Sequence, residues 1–261
     1  MSASKREKAL AKQRAERQVA RATAAAAKRK QRNAVIASVV AVLLVAAGAG
    51  VLATNLDRDR STADAAPARA SDAPAQPGEC RYEESGTAAK DVEAPPTTGV
   101  ETDGVYTATM KTSVGTIAFE MDAATAPCTV NSLRSLAHFS YFDDTVCHRL
   151  TSRNIFVLQC GDPRADGTGG PGYRFADENL EGATYPRGTV AMANGGAGTN
   201  GSQFFLVYRD SQLPPDYTPF GRITRGLDLI DRVAKAGSTP PEDGQPKTAV
   251  EVQSLRTSAK A

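Results

Sequence analysis

Apolar and polar positions change their period along this chain, and each change marks an element. Ala34–Thr54 carries no charged residue over 21 positions, about the length needed to span the hydrocarbon core of a bilayer as a helix. It predicts one transmembrane helix. Residues 55–99 are rich in Ala, Pro, Asp, Ser, Thr and Gly with few large apolar side chains. Such a stretch buries too little surface to offset its ordering entropy and reads as a flexible linker, although Cys80 and Tyr82 interrupt it and suit docking on the body. From 100 to 258 the pattern is that of a folded domain. Tyr106–Thr112 and Thr116–Met121 alternate around Ser113–Gly115, a hairpin. Pro127 suits a first helical turn, and Val130, Leu133, Leu136, Ala137 and Tyr141 recur at helical spacing to about Phe142. Thr189–Ala193, Gln203–Tyr208, Phe220–Ile223 and Thr248–Arg256 read as strands. Leu227, Ile230, Val233 and Ala234 mark a second helix ending near Gly237. Many antiparallel strands and two short helices make the domain mainly β and point to a closed barrel.

Two stretches carry chemistry. Residues 147–162 hold two short strand-like runs, Cys147–Leu150 and Ile155–Cys160, around a polar turn. Alternation puts Cys147 and Arg149 on one face of the first run, and Val157, Gln159 and Gly161 on one face of the second, opposite Leu158 and Cys160. A face with one Arg, one Gln and an apolar Val, with Phe156 nearby, suits a site that holds an apolar group and hydrogen-bonds an amide. The second stretch, Met192–Tyr208, begins with a Gly- and Asn-rich loop able to fold close to a ligand's backbone. It then enters a strand on which Gln203 and Phe205 share a face.

Charge divides the chain. Residues 1–33 hold 11 Lys and Arg against two Glu, a charge of +9, while the remainder, with 20 Lys and Arg against 27 Asp and Glu, carries −7. The basic end and the acidic body are suited to different surroundings. Lys28, Arg29, Lys30 and Arg32 precede the apolar run, so the positive-inside rule predicts a cytoplasmic tail over 1–33 and an extracytoplasmic body. Cleavage as a signal peptide is the competing reading, against which stand the long basic region and the length of the apolar run. The Cys residues at 80, 128, 147 and 160 all follow that run and are free to form disulfides outside the cytoplasm. Three full pairings are open. The alternation argues against Cys147–Cys160, and Cys80 can be tied to Cys128. The Cys and His lack zinc-ligand spacing, the Gly-rich 167–172 segment lacks the Gly-Lys-Ser/Thr of a phosphate loop, and no Gly-x-Ser-x-Gly is present. No metal or cofactor is expected, and His148 reads as a satisfied structural residue.

The two stretches, taken with what lies between them, resemble the cyclophilins, the peptidyl-prolyl cis–trans isomerases. His148-Arg149, Phe156, Val157, Gln159 and Gly161-Asp162 match one family pattern, and Met192-Ala-Asn194 through Gly201-Ser-Gln-Phe-Phe205 match another. Gly167–Gly170, Phe175–Asn179 and Phe220-Gly221 match three more, in order over roughly 160 residues. The resemblance implies an eight-stranded closed antiparallel barrel capped by a helix at each end. It assigns catalysis to Arg149, Phe156 and Gln159, and substrate binding to Val157, Asn194 (through its backbone), Gln203, Phe205, Leu213 and Tyr217. The implied partners are proline-containing polypeptides, with no nucleic acid, and the expected state is a membrane-anchored monomer acting on exported or cell-envelope proteins. A non-catalytic proline-binding or holdase module is the alternative. This chain departs from the family in a longer turn between Arg149 and Phe156, in Val157 for a commoner Met, and in Gln212 where many members carry Trp.

Overall fold

A computed structural model describes residues 77–260. The basic tail, the apolar run 34–54 and the linker up to residue 76 lie outside the described residues. Among those described, no helix is long and apolar enough to cross a membrane.

Where the sequence alternates cleanly, the strands follow it. Strand β2 (Val105–Thr112) pairs antiparallel with β3 (Gly115–Asp122). Tyr106, Ala108 and Met110 on the first, and Ile117, Phe119 and Met121 on the second, are buried. Helix α1 (Pro127–His138) buries Val130, Leu133, Leu136 and Ala137, as their spacing requires. It stops short of the expected Phe142: Ser140 turns to φ 56°, and the Tyr141 N–H bonds back to the Leu136 carbonyl at 2.9 Å. At its other end the cap position, Ala126, has no side chain to offer. The half-buried Glu178 carboxylate takes that role, accepting from the Cys128 N–H (2.9 Å), the Thr129 N–H (2.8 Å) and the Thr129 hydroxyl (2.7 Å). This satisfies amides that a helix start leaves without partners.

The remaining elements are β4 (Thr145–Val146), β5 (Arg149–Thr151), β6 (Val157–Cys160), β7 (Tyr173–Arg174), β8 (Thr189–Met192), β9 (Phe204–Val207), β10 (Pro219–Arg225), α2 (Leu227–Ala236), β11 (Ser238–Thr239), β12 (Asp243–Pro246) and β13 (Glu251–Ala259). One curled antiparallel sheet of eleven strands runs in the order β11-β12-β5-β6-β9-β8-β10-β3-β2-β13-β4. It does not close, which corrects the expectation of a closed eight-stranded barrel. Strands β4 and β5 are consecutive in the chain yet lie toward opposite ends of this order. The chain itself crosses the seam at Cys147-His148, where, among the described residues, a single isolated β-bridge, Val146–Asp162, pairs the backbones of the two sides.

The crossing also explains a second correction. Cys147 and Cys160 form a disulfide, as do Cys80 and Cys128. Alternation does not run through the seam, so Cys147 turns inward with Cys160 although Arg149 faces out. Both sulfur-bearing residues are buried.

The two faces of the sheet hold different clusters. The inner face packs Leu150, Leu158, Cys160, Phe204 and Leu206 into the main core with α1 and the β2–β3 hairpin. The outer face carries Val157, Ala191, Phe205 and Val207, packed with Tyr185.

A third correction concerns residues 77–99, expected as part of a flexible linker. They form an arm docked on the domain. Strand β1 (Glu83–Glu84) pairs with β7, the Ser85 and Ala89 N–H groups donate to the Gly172 and Gly170 carbonyls, and the Cys80–Cys128 disulfide ties the arm to α1. Tyr82 sets its ring edge-on to Tyr173 and Phe175, with centroids 5.3 and 5.6 Å apart. Its hydroxyl donates to the Cys128 carbonyl and accepts from Asn131. Burial of that ring is the gain that outweighs the ordering of an otherwise polar segment.

Candidate active site

The ladder aligns the site residues. Arg149 lies opposite Gln159, Gln159 opposite Phe205, and Phe205 opposite Ala191. Residues directly opposite in a ladder share a face, so a guanidinium, an amide and an aromatic ring stand in one row on the outer side of the sheet. The inner side remains apolar.

Hydrogen bonds then fix the polar part of the row. Arg149 Nη1 donates to Gln159 Oε1 at 3.2 Å. Gln159 Nε2 donates to Gln203 Oε1 at 2.8 Å. Gln203 Nε2 donates to the Gly167 and Gly169 carbonyls at 3.0 and 2.9 Å. That Gly-rich loop is in turn folded by Asp162, which accepts from the Arg164, Asp166 and Gly167 N–H groups at 2.7, 3.2 and 2.6 Å. A Cβ built at Gly169 would stand 1.9 Å from Asp162 Oδ1, so only glycine lets the loop lie this close to the carboxylate. Each amide is oriented by its neighbour, and a chain of this kind is stiffer than its separate bonds.

The far side of Arg149 meets a residue that periodicity did not single out. Asp243 accepts from Nε at 2.7 Å and from Nη2 at 2.8 Å. This pairing raises the guanidinium's pKa and holds the Asp243 carboxyl below the ordinary carboxylate range.

The apolar part of the site is a cluster on the outer face. Val157 and Phe205 form its floor, with Leu213, Tyr217 and Ile155 packed against them. Tyr217 meets Phe205 edge-on at 5.7 Å. Its backbone is held on both sides by the Tyr185 hydroxyl, which accepts from the Tyr217 N–H at 3.1 Å and donates to its carbonyl at 2.8 Å. Phe156 is not in this group. It packs toward the main core, edge-on to Tyr208 at 6.0 Å, under the Arg209 guanidinium at 4.6 Å. Alternation accounts for the difference: Ile155, Val157 and Gln159 share one parity and Phe156 the other. The resemblance grouped Phe156 with the pocket, and Ile155, which parity would have found, went unnamed.

The Asn194 side chain is engaged within the protein, donating to the Asp216 carbonyl at 2.8 Å and accepting from the Gly196 N–H at 3.2 Å. It shapes the loop beside the row. A cavity of about 410 Å³ adjoins, bordered by Gln159, Gln203, Asn194, Arg164, Tyr173 and the arm residue Thr87. His148 is buried as expected but not satisfied: neither ring nitrogen has a hydrogen-bond partner among the described residues. Burial depresses its pKa.

Known proteins resemble this chain in sequence and in fold. A probable peptidyl-prolyl cis-trans isomerase B of Mycobacterium leprae is 50% identical over 194 residues, 68% of this chain and 66% of that protein. Its namesake in Mycobacterium tuberculosis (strain CDC 1551 / Oshkosh) is 49% identical over 193 residues, 67% of this chain and 63% of that protein. The chain thus spans just under two thirds of the length of these curated relatives. A crystal structure of a Cryptosporidium parvum cyclophilin-type peptidyl-prolyl cis-trans isomerase superposes with a TM-score of 0.54 at 25% identity, covering 60% of this chain and 99% of that one. A second crystal structure of that protein, described as in the presence of the dipeptide Ala-Pro, gives 0.53 over 59% and 99% of the two chains. Residues 107–257, more than half of the chain, match the family described as cyclophilin type peptidyl-prolyl cis-trans isomerase/CLD, and the chain belongs to that family.

Proposed function

We propose that the domain catalyses cis–trans rotation about X–Pro peptide bonds. Rotation is slow because amide resonance must be lost, at a barrier of roughly 18–20 kcal/mol. A catalyst of this step needs no nucleophile. It must hold the twisted amide more tightly than either planar isomer. Twisting returns a lone pair to the prolyl nitrogen, which then accepts a hydrogen bond. Arg149, always charged and held from two sides, donates to it. The pyrrolidine ring rests on Val157 and Phe205, walled by Leu213 and Tyr217. Gln159 and the Asn194 backbone bind the substrate main chain, and Gln203 orients Gln159. The single observation carrying this reading is the row Arg149–Gln159–Phe205, with a directed guanidinium beside an apolar floor. The Ala-Pro dipeptide named with the Cryptosporidium protein is consistent with it.

The test is an exchange or protease-coupled assay on prolyl peptides with the full chain and with Arg149→Ala. Acceleration by wild type and loss of about a hundredfold in the variant is expected, the scale for removing one fixed donor to developing charge. Binding of prolyl peptides without acceleration would favour the holdase alternative.

The setting proposed is the cell envelope. Residues 1–33 are a cytoplasmic tail, 34–54 a single membrane span and 55–76 a spacer, and a monomeric domain outside works on exported proteins. The uncharged run and the basic cluster before it support this. Protease added to intact spheroplasts should then release the domain, and protection until lysis would refute the topology.

A further inference from the structure

We propose that Asp243 is a positioning residue for Arg149, supplied by the β11–β12 hairpin to fix which guanidinium hydrogens face the substrate. The inference rests on the isomerase reading of the site and adds a component to it. A guanidinium has five N–H donors. Asp243 engages Nε and one hydrogen of Nη2, through both carboxylate oxygens, and Gln159 engages one hydrogen of Nη1. Two hydrogens remain, one on each terminal nitrogen. A free arginine side chain turns among many rotamers and loses that freedom on binding. One clamped by a two-point carboxylate pair, the geometry of highest directional specificity, keeps its remaining donors aimed before substrate arrives.

The backbone places Asp243 for this. Strand β12 pairs with β5 so that Asp243 lies opposite Thr151 and Gly244 opposite Leu150. Thr151 and Arg149 are two apart and share a face, so the Asp243 carboxylate and the Arg149 side chain lie diagonally across one pair of strands. The hairpin is tight: a Cβ at Gly244 would stand 2.5 Å from the Thr239 carbonyl oxygen and the Pro240 nitrogen. Nothing larger than glycine fits, so the strand that carries Asp243 is fixed by its neighbour in sequence. Glu242, next along the chain, is paired with Arg153 instead.

A purely structural ion pair and a positioning pair predict different kinetics. The Arg149 and Asp243 side chains are 43% and 57% exposed, so the pair adds little to stability. Asp243→Asn keeps the shape and removes the charge and one acceptor. Prolyl-peptide isomerisation by the full chain should then show kcat down about three- to tenfold with KM nearly unchanged, at an unaltered thermal midpoint. Asp243→Glu should recover part of the loss. Lys at 149 cannot form the fork, so adding Asp243→Asn to Arg149→Lys should cause little further change. Unchanged kcat in Asp243→Asn, or equal losses in the wild-type and Arg149→Lys backgrounds, would overturn the assignment while leaving the isomerase reading intact. No acceleration by wild type would overturn both.

Discussion

Removing the Cys147–Cys160 disulfide tests the seam of the sheet. The bridge closes a loop of sequence separation 13. On the chain-entropy account, freeing a loop of this size returns about 3 kcal/mol of disorder to the unfolded chain. For a domain of this size each kcal/mol lowers the thermal midpoint by roughly 2–4 °C. Cys147→Ala with Cys160→Ala should therefore melt about 6–12 °C below wild type by circular dichroism, with Cys80–Cys128 left intact. Part of that drop belongs to the two sulfur atoms lost from buried positions. Wild type under a reductant keeps the sulfurs, and separates packing from crosslinking once Cys80–Cys128 variants are run alongside. The catalytic row should suffer less than the fold. Arg149 stays opposite Gln159 through the ladder and keeps its bonds to Asp243 and Gln159, so kcat/KM measured well below the new midpoint should stay within about threefold, less than 1 kcal/mol. A midpoint shift under about 2 °C would show that the unfolded chain already holds this hairpin together, and the seam argument would fail.

Gln203→Leu should lower kcat/KM by about five- to thirtyfold, because Gln159 loses its acceptor and swings free; unchanged kinetics would mean that Gln159 orients itself. Glu178→Ala should cost about 1–3 kcal/mol, read as a lower urea midpoint at constant m, since the start of α1 loses its only side-chain acceptors among the described residues. The pH dependence of stability follows from carboxyls held below their ordinary range: Asp143 by Arg256 and Asp231 by Arg187. Their folded pKa values lie below the unfolded ones, so their contribution is present above about pH 4 and is lost as pH falls through the folded values. The urea midpoint should stay level from pH 7 to 5 and drop below about pH 4, more shallowly in high salt. Glu178, pushed up by burial, works against this trend, gaining stability as pH falls toward its unfolded value.

Much of the site was legible in the sequence because its register is local. Arg149 and Gln159 stand on one hairpin, and period-two alternation alone put them with Val157 on a shared face. Alternation failed at Cys147-His148, where the chain passes from one edge of the sheet to the other and no ladder imposes a period. It was set aside at Phe156, whose parity already pointed away from the pocket. Asp243 left no trace of its role, because its contact with Arg149 spans 94 positions and its strand reads Asp-Gly-Gln-Pro, in which Asp, Gly and Pro are the vocabulary of turns. The arm was legible only at Cys80 and Tyr82, which already suited docking: composition weighs a segment by its own apolar content, whereas these two draw on rings and a sulfur belonging to the body.

The docked arm has a practical corollary for anyone excising this domain. The family match begins at residue 107, and a fragment trimmed to that border would be missing material its interior depends on. It would carry a lone thiol at Cys128, bare ring edges at Tyr173 and Phe175, and glycine carbonyls at 170 and 172 stripped of their donors. That last pair belongs to the loop on which Gln203 leans, so the damage would travel inward to the Gln203 and Gln159 amides. The border of the family match and that of a mechanically complete domain therefore differ here, and a portable version of the domain has to be cut ahead of residue 77.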